Sequence, residues 1–119
     1  MARLRGPDGC PWDRRQTHAS LLKHFREETG EVCRAVRRKD WDNLREELGD
    51  IILHVLFQAQ IAREAGTFDI GEVLGGLKAK LVRRHPHVFG KGPKEQLTPA
   101  EVKRRWEQIK KQEKSAQAA

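Results

Sequence analysis

The sequence predicts an all-α fold, a small four-helix bundle-like domain. Apolar residues recur at spacings of three and four along successive segments, as they do on one face of an amphipathic helix. No segment shows the alternation of apolar and polar residues between turn signals that is typical of a half-buried strand. The 119 residues, of which 37% are hydrophobic and 34% charged, suffice for one modest core. We therefore expect a single domain over 1–119, with an N-terminal loop at 1–16, a helical core at 17–114 and a frayed tail at 115–119.

The first two helices are predicted from this periodicity and from one capping acid. The first is expected from Thr17 to about Lys39, because its apolar residues lie three and four apart. Asp40 or Asp42 then caps a second helix, which continues the same period to a C-terminal Gly66. This second helix is expected to be the longest of the chain.

Two further helices are predicted from their start signals. Asp69 with Glu72 forms a capping box for the third helix, which should end before Pro86 because proline disfavours helical geometry in the residue before it. Thr98 caps the fourth helix, whose first turn contains Pro99.

The second helix also predicts an oligomer. Beside its main apolar face, Leu53, Phe57 and Ile61 form another apolar line at a spacing of four. One chain of this size has few residues with which to cover both faces, so we expect a homodimer or a dimer of dimers. The alternative is that the third and fourth helices of the same chain cover both faces.

Acidic residues are concentrated twice, in "EETGE" and "EELGD", although 24 Lys and Arg outnumber 17 Asp and Glu. Residues three apart lie on one side of a helix, so Glu28 can converge with Glu31, and Glu47 with Asp50. Glu28 falls at the edge of the apolar sector, where an unpaired carboxylate is expensive to bury. Hard oxygen ligands of this kind suit Mg²⁺, with Mn²⁺ as a second possibility. The alternative is that both are solvated, salt-bridged faces.

Basic residues near the end of the third helix predict a phosphate site. Lys80 and Arg84 share a helix face at a spacing of four and Arg83 flanks them, although a basic last turn also complements the helix dipole. Trp106 and Lys110 have the same spacing, so the indole could stack on a base while the ammonium contacts a phosphate. A core role for the tryptophan is the alternative.

Composition and the absence of certain motifs argue against several other classes of protein. No apolar run approaches the roughly 20 residues of a membrane helix, and the N-terminus lacks the hydrophobic stretch of a secretion signal, so a cytoplasmic protein is expected. Cys10 and Cys33 are too few for a disulfide framework and lack a zinc-ligand spacing, and Cys33 is expected in the core. The net charge of +7 attracts polyanions, but no nucleic-acid-binding motif is present and the acidic pairs would repel a phosphate backbone.

Five ordered blocks carry a resemblance to a known family: "GCPWDRRQTH", "EETGEV", "LREELGDII", "KLVRRHPHVFG" and "RWEQIKKQE". From about Leu4 to Glu113, the sequence resembles the MazG-type nucleoside triphosphate pyrophosphohydrolases. The resemblance implies the all-α fold of these enzymes, oligomers built from dimers and Mg²⁺ dependence. It also implies hydrolysis of a ribo- or deoxyribonucleoside triphosphate to the monophosphate and pyrophosphate, with the housecleaning of nucleotide pools as the expected role.

The resemblance also assigns residues by position. The implied metal ligands are Glu28, Glu31, Glu47 and Asp50; the implied nucleotide contacts are Lys80, Arg84, Trp106 and Lys110, with Glu27 and His24 beside the metal site. Glu27 and Glu46 are the two candidates for the general base, since each adjoins a ligand pair. Many relatives contain two copies of this domain and this sequence resembles the first, so a scaffold or dimerisation domain with little activity is the alternative function. A basic nucleic-acid-binding protein ranks below both.

Overall fold

The computed structural model describes residues 1–118, and this part of the chain contains six helices and no strand. The predicted all-α fold is confirmed. The helices are α1 (Pro11–Arg15), α2 (Leu22–Arg37), α3 (Trp41–Glu64), α4 (Ile70–Arg84), α5 (Pro86–Phe89) and α6 (Pro99–Ala118). None of the helices in the described residues is long and apolar enough to cross a membrane.

The chain divides into two compact units, Met1–Val73 and Leu74–Ala119. In the first unit, α2 packs against α3. The buried apolar residues lie in this unit and are Leu21, Ala35, Phe57, Ala59 and Ala62. The expectation of a single domain over 1–119 stays a prediction.

Helix α2 begins five residues later than the sequence indicated. The backbone N–H of Thr17 donates to Ser20 Oγ at 2.8 Å, and the N–H of Ser20 donates to Thr17 Oγ1 at 3.0 Å. These hydrogen bonds from backbone N–H groups to side-chain hydroxyls stabilise a turn in place of helix, so the helix begins only at Leu22.

The turn between α2 and α3 is tight. Lys39 has a φ of 56°, a left-handed conformation that is uncommon outside glycine, and the N–H of Asp40 donates to the carbonyl oxygen of Ala35 at 3.0 Å. Asp40, one of the two predicted caps, then accepts from the N–H of Asn43 at 3.2 Å. The chain therefore reverses direction within three residues, and α3 returns antiparallel along α2.

The other predicted start signals are also present. Asp69 Oδ1 accepts from the N–H of Glu72 at 2.9 Å, and Thr98 Oγ1 accepts from the N–H of Glu101 at 3.2 Å. At the end of α3, Gly66 has a φ of 74°, which is the usual glycine termination of a helix.

The termini differ from the prediction. The expected N-terminal loop contains α1, whose last turn is held by Arg5: Nη1 of this side chain donates to the Gln16 carbonyl oxygen at 3.0 Å, and Nε donates to Glu64 at 2.8 Å. Helix α6 continues to Ala118, beyond the expected start of the tail at 115, while residue 119 lies outside the described residues. Helix α1 was not visible as periodicity, because it is only five residues long and depends on a contact with α3.

Two predictions about burial are wrong. Cys33 is exposed, because Ala35 takes the inward position on that part of α2. Phe57, expected beneath a second subunit, is only 4% exposed within its own chain, and the guanidinium carbon of Arg5 lies 5.9 Å from the centroid of its ring. The N-terminal segment therefore covers part of the second apolar line of α3, while Leu53 on the same line is exposed.

Candidate active site

Three of the predicted metal ligands converge in the first unit. One carboxylate oxygen from each of Glu28, Glu47 and Asp50 lies within 4.8 Å of the others. Glu28 comes from α2 and the other two from α3, so the antiparallel packing of the two helices brings the acidic pairs together. All three side chains are half-buried, which strengthens their mutual repulsion relative to that in bulk water.

Within residues 1–118, no basic side chain forms a salt bridge with any of the three carboxylates. Glu28 Oε2 is buried and has no hydrogen-bond partner among the described residues. A proton shared with Glu28 in a side-chain hydrogen bond is the main reason why the pKa of Glu47 rises to about 7. Partial burial and the negative charges of Glu28, Asp50 and Glu31 raise that pKa further. The raised pKa means that the cluster favours the uptake of a proton or of another cation.

Glu31, the fourth predicted ligand, points elsewhere. Its Oε1 pairs with Nη2 of Arg34, three residues further along α2. Its carboxylate still adds to the negative field at Glu47, but it lies outside the group of oxygens that converge. The structure thus brings together three of the four predicted ligands.

The neighbouring site candidates are more exposed. Glu27 Oε2 lies 3.9 Å from Nδ1 of His24, and the His24 ring meets Trp12 edge to face with 5.7 Å between centroids. Glu46 is exposed on α3. Water can therefore reach both of the carboxylates that were considered as general base.

An apolar pocket of about 560 Å³ adjoins the acids along both helices. Phe25 lies one turn before Glu28 on α2, and His54 lies one turn after Asp50 on α3. Neither the pocket nor its histidine was predicted from the sequence. Its lining includes Leu22, Phe25, His54, Val55, Phe68 and Val73.

His54 is a mostly buried polar residue in the lining of this pocket. It is 8% exposed, its ring meets Phe25 edge to face at 5.5 Å, and its Nδ1 has no partner among the described residues. Burial lowers the pKa of His54, the charge of His24 lowers it further, and Asp50 acts in the opposite direction. A histidine inside the apolar period, one turn after an acidic pair, was the available signal in the sequence.

The predicted phosphate-binding cations line a groove of about 570 Å³ in the second unit. Two of them are held by Glu113: Arg83 Nε donates to Oε1 at 2.7 Å, and Arg84 Nη2 donates to Oε2 at 2.9 Å. The hydrogen bond from Arg84, followed by that from Arg83, lowers the pKa of Glu113 to about 2. The groove includes Lys80, Arg83, Arg84, Lys110, Lys111 and Glu113.

Trp106 lies beside a cation and a histidine in the same unit. Nζ of Lys110 is 5.6 Å from the centroid of the indole, and His85 meets it edge to face at 5.7 Å. The indole Nε1 is buried without a partner among the described residues. The side chain is half-buried, so part of the ring is accessible from outside this unit.

Comparison with known proteins decides the family. The MazG nucleotide pyrophosphohydrolase domain matches residues 16–89, which include α2, α3, α4 and the acidic cluster. The chain belongs to the MazG nucleotide pyrophosphohydrolase domain family. The predicted resemblance is therefore confirmed.

Individual MazG relatives match nearly the whole chain. A nucleoside triphosphate pyrophosphohydrolase/pyrophosphatase MazG of Thermotoga maritima is 50% identical over 114 residues, which are 96% of this chain and 42% of the relative. A nucleoside triphosphate pyrophosphohydrolase of Escherichia coli K12 is 48% identical over a region that covers 99% of this chain and 44% of the relative. The chain thus spans less than half the length of these relatives.

A solved structure supports the same fold. The crystal structure of a mazG-related protein from Thermotoga maritima superposes with a TM-score of 0.72 at 31% identity. The alignment covers 86% of this chain and 87% of that one. The helical MazG fold is therefore found in a chain of comparable extent.

Proposed function

We propose that this MazG domain hydrolyses a nucleoside triphosphate to the monophosphate and pyrophosphate, with Mg²⁺ or Mn²⁺ held by Glu28, Glu47 and Asp50. The observation that carries the proposal is the convergence of these carboxylates around a buried, unpartnered oxygen in a member of this family. Ribo- and deoxyribonucleoside triphosphates are both within the proposed substrate class, and removal of unwanted nucleotides from the cytoplasmic pool is the proposed role.

The carboxylates fit a hard divalent cation. They offer oxygen ligands only, and two or three carboxylates on facing helices are enough to hold Mg²⁺ when water and substrate phosphates complete its coordination. The orphaned oxygen of Glu28 and the raised pKa of Glu47 both indicate excess negative charge at this point. Glu31 joins the ligands in this proposal if its side chain leaves Arg34.

Side chains around the acidic cluster have separate proposed roles in the hydrolysis. A divalent cation bound here would supply Lewis acidity toward the phosphate oxygens and lower the pKa of the attacking water. Glu27 and Glu46 are the proposed proton acceptors from that water, since both carboxylates are exposed next to the cluster. His24, 3.9 Å from Glu27, would orient this carboxylate. Attack at the α-phosphorus breaks its bond to the bridging oxygen, and the electron pair leaves with pyrophosphate.

Cations of the second unit are the proposed phosphate ligands. Lys80, Arg84 and Lys110 line one groove, with Arg83 at its side, and can donate charge-assisted hydrogen bonds to phosphate oxygens. Trp106 is the proposed neighbouring nucleotide contact, because Lys110 lies against its ring. Nucleic acid and membranes are not among the proposed partners.

A homo-oligomer, as a dimer or a dimer of dimers, is part of the proposal. Ile52 on α3 is 60% exposed and Leu53 is 41% exposed, a large apolar surface for a helix of one small chain. Sedimentation equilibrium over a tenfold concentration range would measure the assembly, and a monomer throughout that range would contradict this part.

The deciding experiment is a hydrolysis panel of ribo- and deoxyribonucleoside triphosphates with Mg²⁺ or Mn²⁺, in which the products are identified. Asp50→Asn should remove turnover, whereas the matched control Asp42→Asn, an exposed acid on the same helix, should retain it. Release of orthophosphate in place of pyrophosphate would contradict the proposed reaction. A parent protein that hydrolyses no triphosphate would favour the scaffold alternative.

A further inference from the structure

We propose that the apolar pocket beside the acidic cluster receives the nucleobase of the substrate, and that His54 is the residue that hydrogen-bonds this base. This inference rests on the proposed function for the identity of the ligand. It assigns a binding site and a specificity-determining residue to the first unit.

The pocket has the chemistry that a flat heterocycle requires. Its walls are mostly aliphatic and aromatic, and the lining of this pocket of about 560 Å³ includes Phe25 and Phe68. Ligand sites of this type combine an apolar wall with a small number of placed polar groups. The volume suffices for a base with part of its sugar.

His54 is a placed polar group without a use inside the protein. Its Nδ1 is buried and has no partner among the described residues, and an unsatisfied buried nitrogen is costly. The other polar groups of the lining, His18 and Gln58, already bond to each other: the His18 ring pairs with the Gln58 amide oxygen, and Gln58 Nε2 donates to the His18 carbonyl oxygen at 3.2 Å. The His54 ring lines the pocket, and a rotation about its Cβ–Cγ bond would turn the shielded Nδ1 toward a ligand with a polar edge.

The position of the pocket agrees with the site of bond cleavage. His54 follows Asp50 by four residues, a rise of about 6 Å along the helix. Release of pyrophosphate requires the α-phosphorus to be at the acidic cluster, and only the sugar separates that phosphorus from the base. The base must therefore lie within the length of one ribose of the cluster, and the pocket begins one helical turn away.

The sequence predicts two alternative roles for Trp106, stacking on the base or packing in the core, and the stacking role predicts different effects of substitution from the His54 assignment. His54→Phe keeps the ring that packs on Phe25 and removes the nitrogen. We expect it to lower kcat/KM for the preferred base by about tenfold and to leave the poorest base nearly unchanged. His54→Asn retains a polar group close to the position of Nδ1 and should restore most of the preference.

His87→Phe is the matched control, because His87 also has a buried, unpartnered Nδ1 but lies in the second unit. It should leave the ratio between bases unchanged. If His54→Phe fails to fold, Ala19→Phe, at an exposed position of the pocket lining, should fill the pocket and raise KM for every triphosphate.

A second readout does not depend on turnover. In the metal-free wild type with ¹⁵N-labelled histidine, the preferred nucleoside, which has no phosphate for the acids to repel, should shift the Nδ1 resonance of His54, and Ala19→Phe should abolish that shift. A shift without hydrolysis of any triphosphate would support the pocket and contradict the proposed reaction. Hydrolysis with no shift at His54, or a base preference that follows Trp106→Ala and ignores His54→Phe, would overturn this inference and leave the proposed reaction standing.

Discussion

Glu113 accepts hydrogen bonds from Arg84 at 2.9 and 3.3 Å, so a carboxylate of the chain occupies the guanidinium that a phosphate would need. Arg83 is bound to the same carboxylate. An incoming phosphate must compete with Glu113 for these donors, because Nε of both arginines and Nη2 of Arg84 already bond this carboxylate.

Glu113→Gln should therefore lower KM for the triphosphate several-fold while changing kcat little. The amide has the same shape and no charge, so the arginines are released toward the substrate. Steady-state kinetics would measure the effect, with Glu107→Gln, a carboxylate in the same groove, as control. A higher KM in Glu113→Gln would contradict competition and indicate that Glu113 positions the arginines for binding.

The same ion pair predicts a pH dependence of stability. The folded-state pKa of Glu113 is lowered to about 2 from an ordinary value of 4.5, so the folded protein binds this proton less readily than the unfolded chain does. The stabilisation is fully present above pH 4.5 and is lost as the pH falls toward 2. Chemical unfolding of wild type and Glu113→Gln should therefore give curves that differ above pH 4.5 and converge toward pH 2. A constant difference over this window would contradict the lowered pKa.

Glu47 should have the opposite dependence when no metal is bound. Its folded-state pKa is raised to about 7 from 4.5, so its contribution to stability is present below pH 4.5 and is lost as the pH rises toward 7. Above pH 7, Glu47→Gln should melt at a higher temperature than the metal-free wild type, because the amide removes one of the repelling charges. Thermal melts in EDTA from pH 4 to 8 would test this, and a lower Tm in the variant at pH 8 would contradict it.

A bound divalent metal should stabilise the wild type at the pH at which the metal-free cluster is destabilising. Mg²⁺ or Mn²⁺ competes with the proton at Glu47, so millimolar metal should raise the Tm of the wild type at pH 8 and change it little at pH 5. Glu47→Ala and Asp50→Ala should lose both this metal-dependent shift and the turnover, with helical content by circular dichroism nearly intact. Variants that retain metal-dependent turnover would remove these two carboxylates from the proposed site.

Substitutions of the cations in the second unit should impair hydrolysis much more than they change thermal stability. Lys80→Ala and Arg84→Ala should each lower kcat/KM about tenfold or more, the value of a lost charge-assisted contact. Lys80 is exposed, so its removal should leave Tm unchanged, whereas Arg84→Ala should lower Tm by a few degrees because Glu113 loses a partner. Lys78→Ala, an exposed lysine on the same helix, is the control. Unimpaired hydrolysis in both variants would favour the scaffold alternative.

The features that the sequence determined by itself are local ones. Helix starts at Asp69 and Thr98 follow from side chains that bond the backbone three residues on, and the pairing of Glu47 with Asp50 follows from helical spacing. The same local reasoning failed at Cys33, since a helical period indicates a face but not which of two neighbouring residues is covered. It also missed α1, whose last turn depends on Arg5 and α3.

Only the tertiary structure decided which charges meet. The turn at Lys39 brings α3 back along α2, which places Glu28 against Glu47 and Asp50 and leaves Glu31 to Arg34. The bond between Arg84 and Glu113 joins residues 29 apart in the chain. Sequence spacing fixes directions around one helix axis, whereas contacts between helices depend on their register and on how each turn redirects the chain. The acids could therefore be predicted in pairs from the sequence, but the cluster that they form required the packing of two helices.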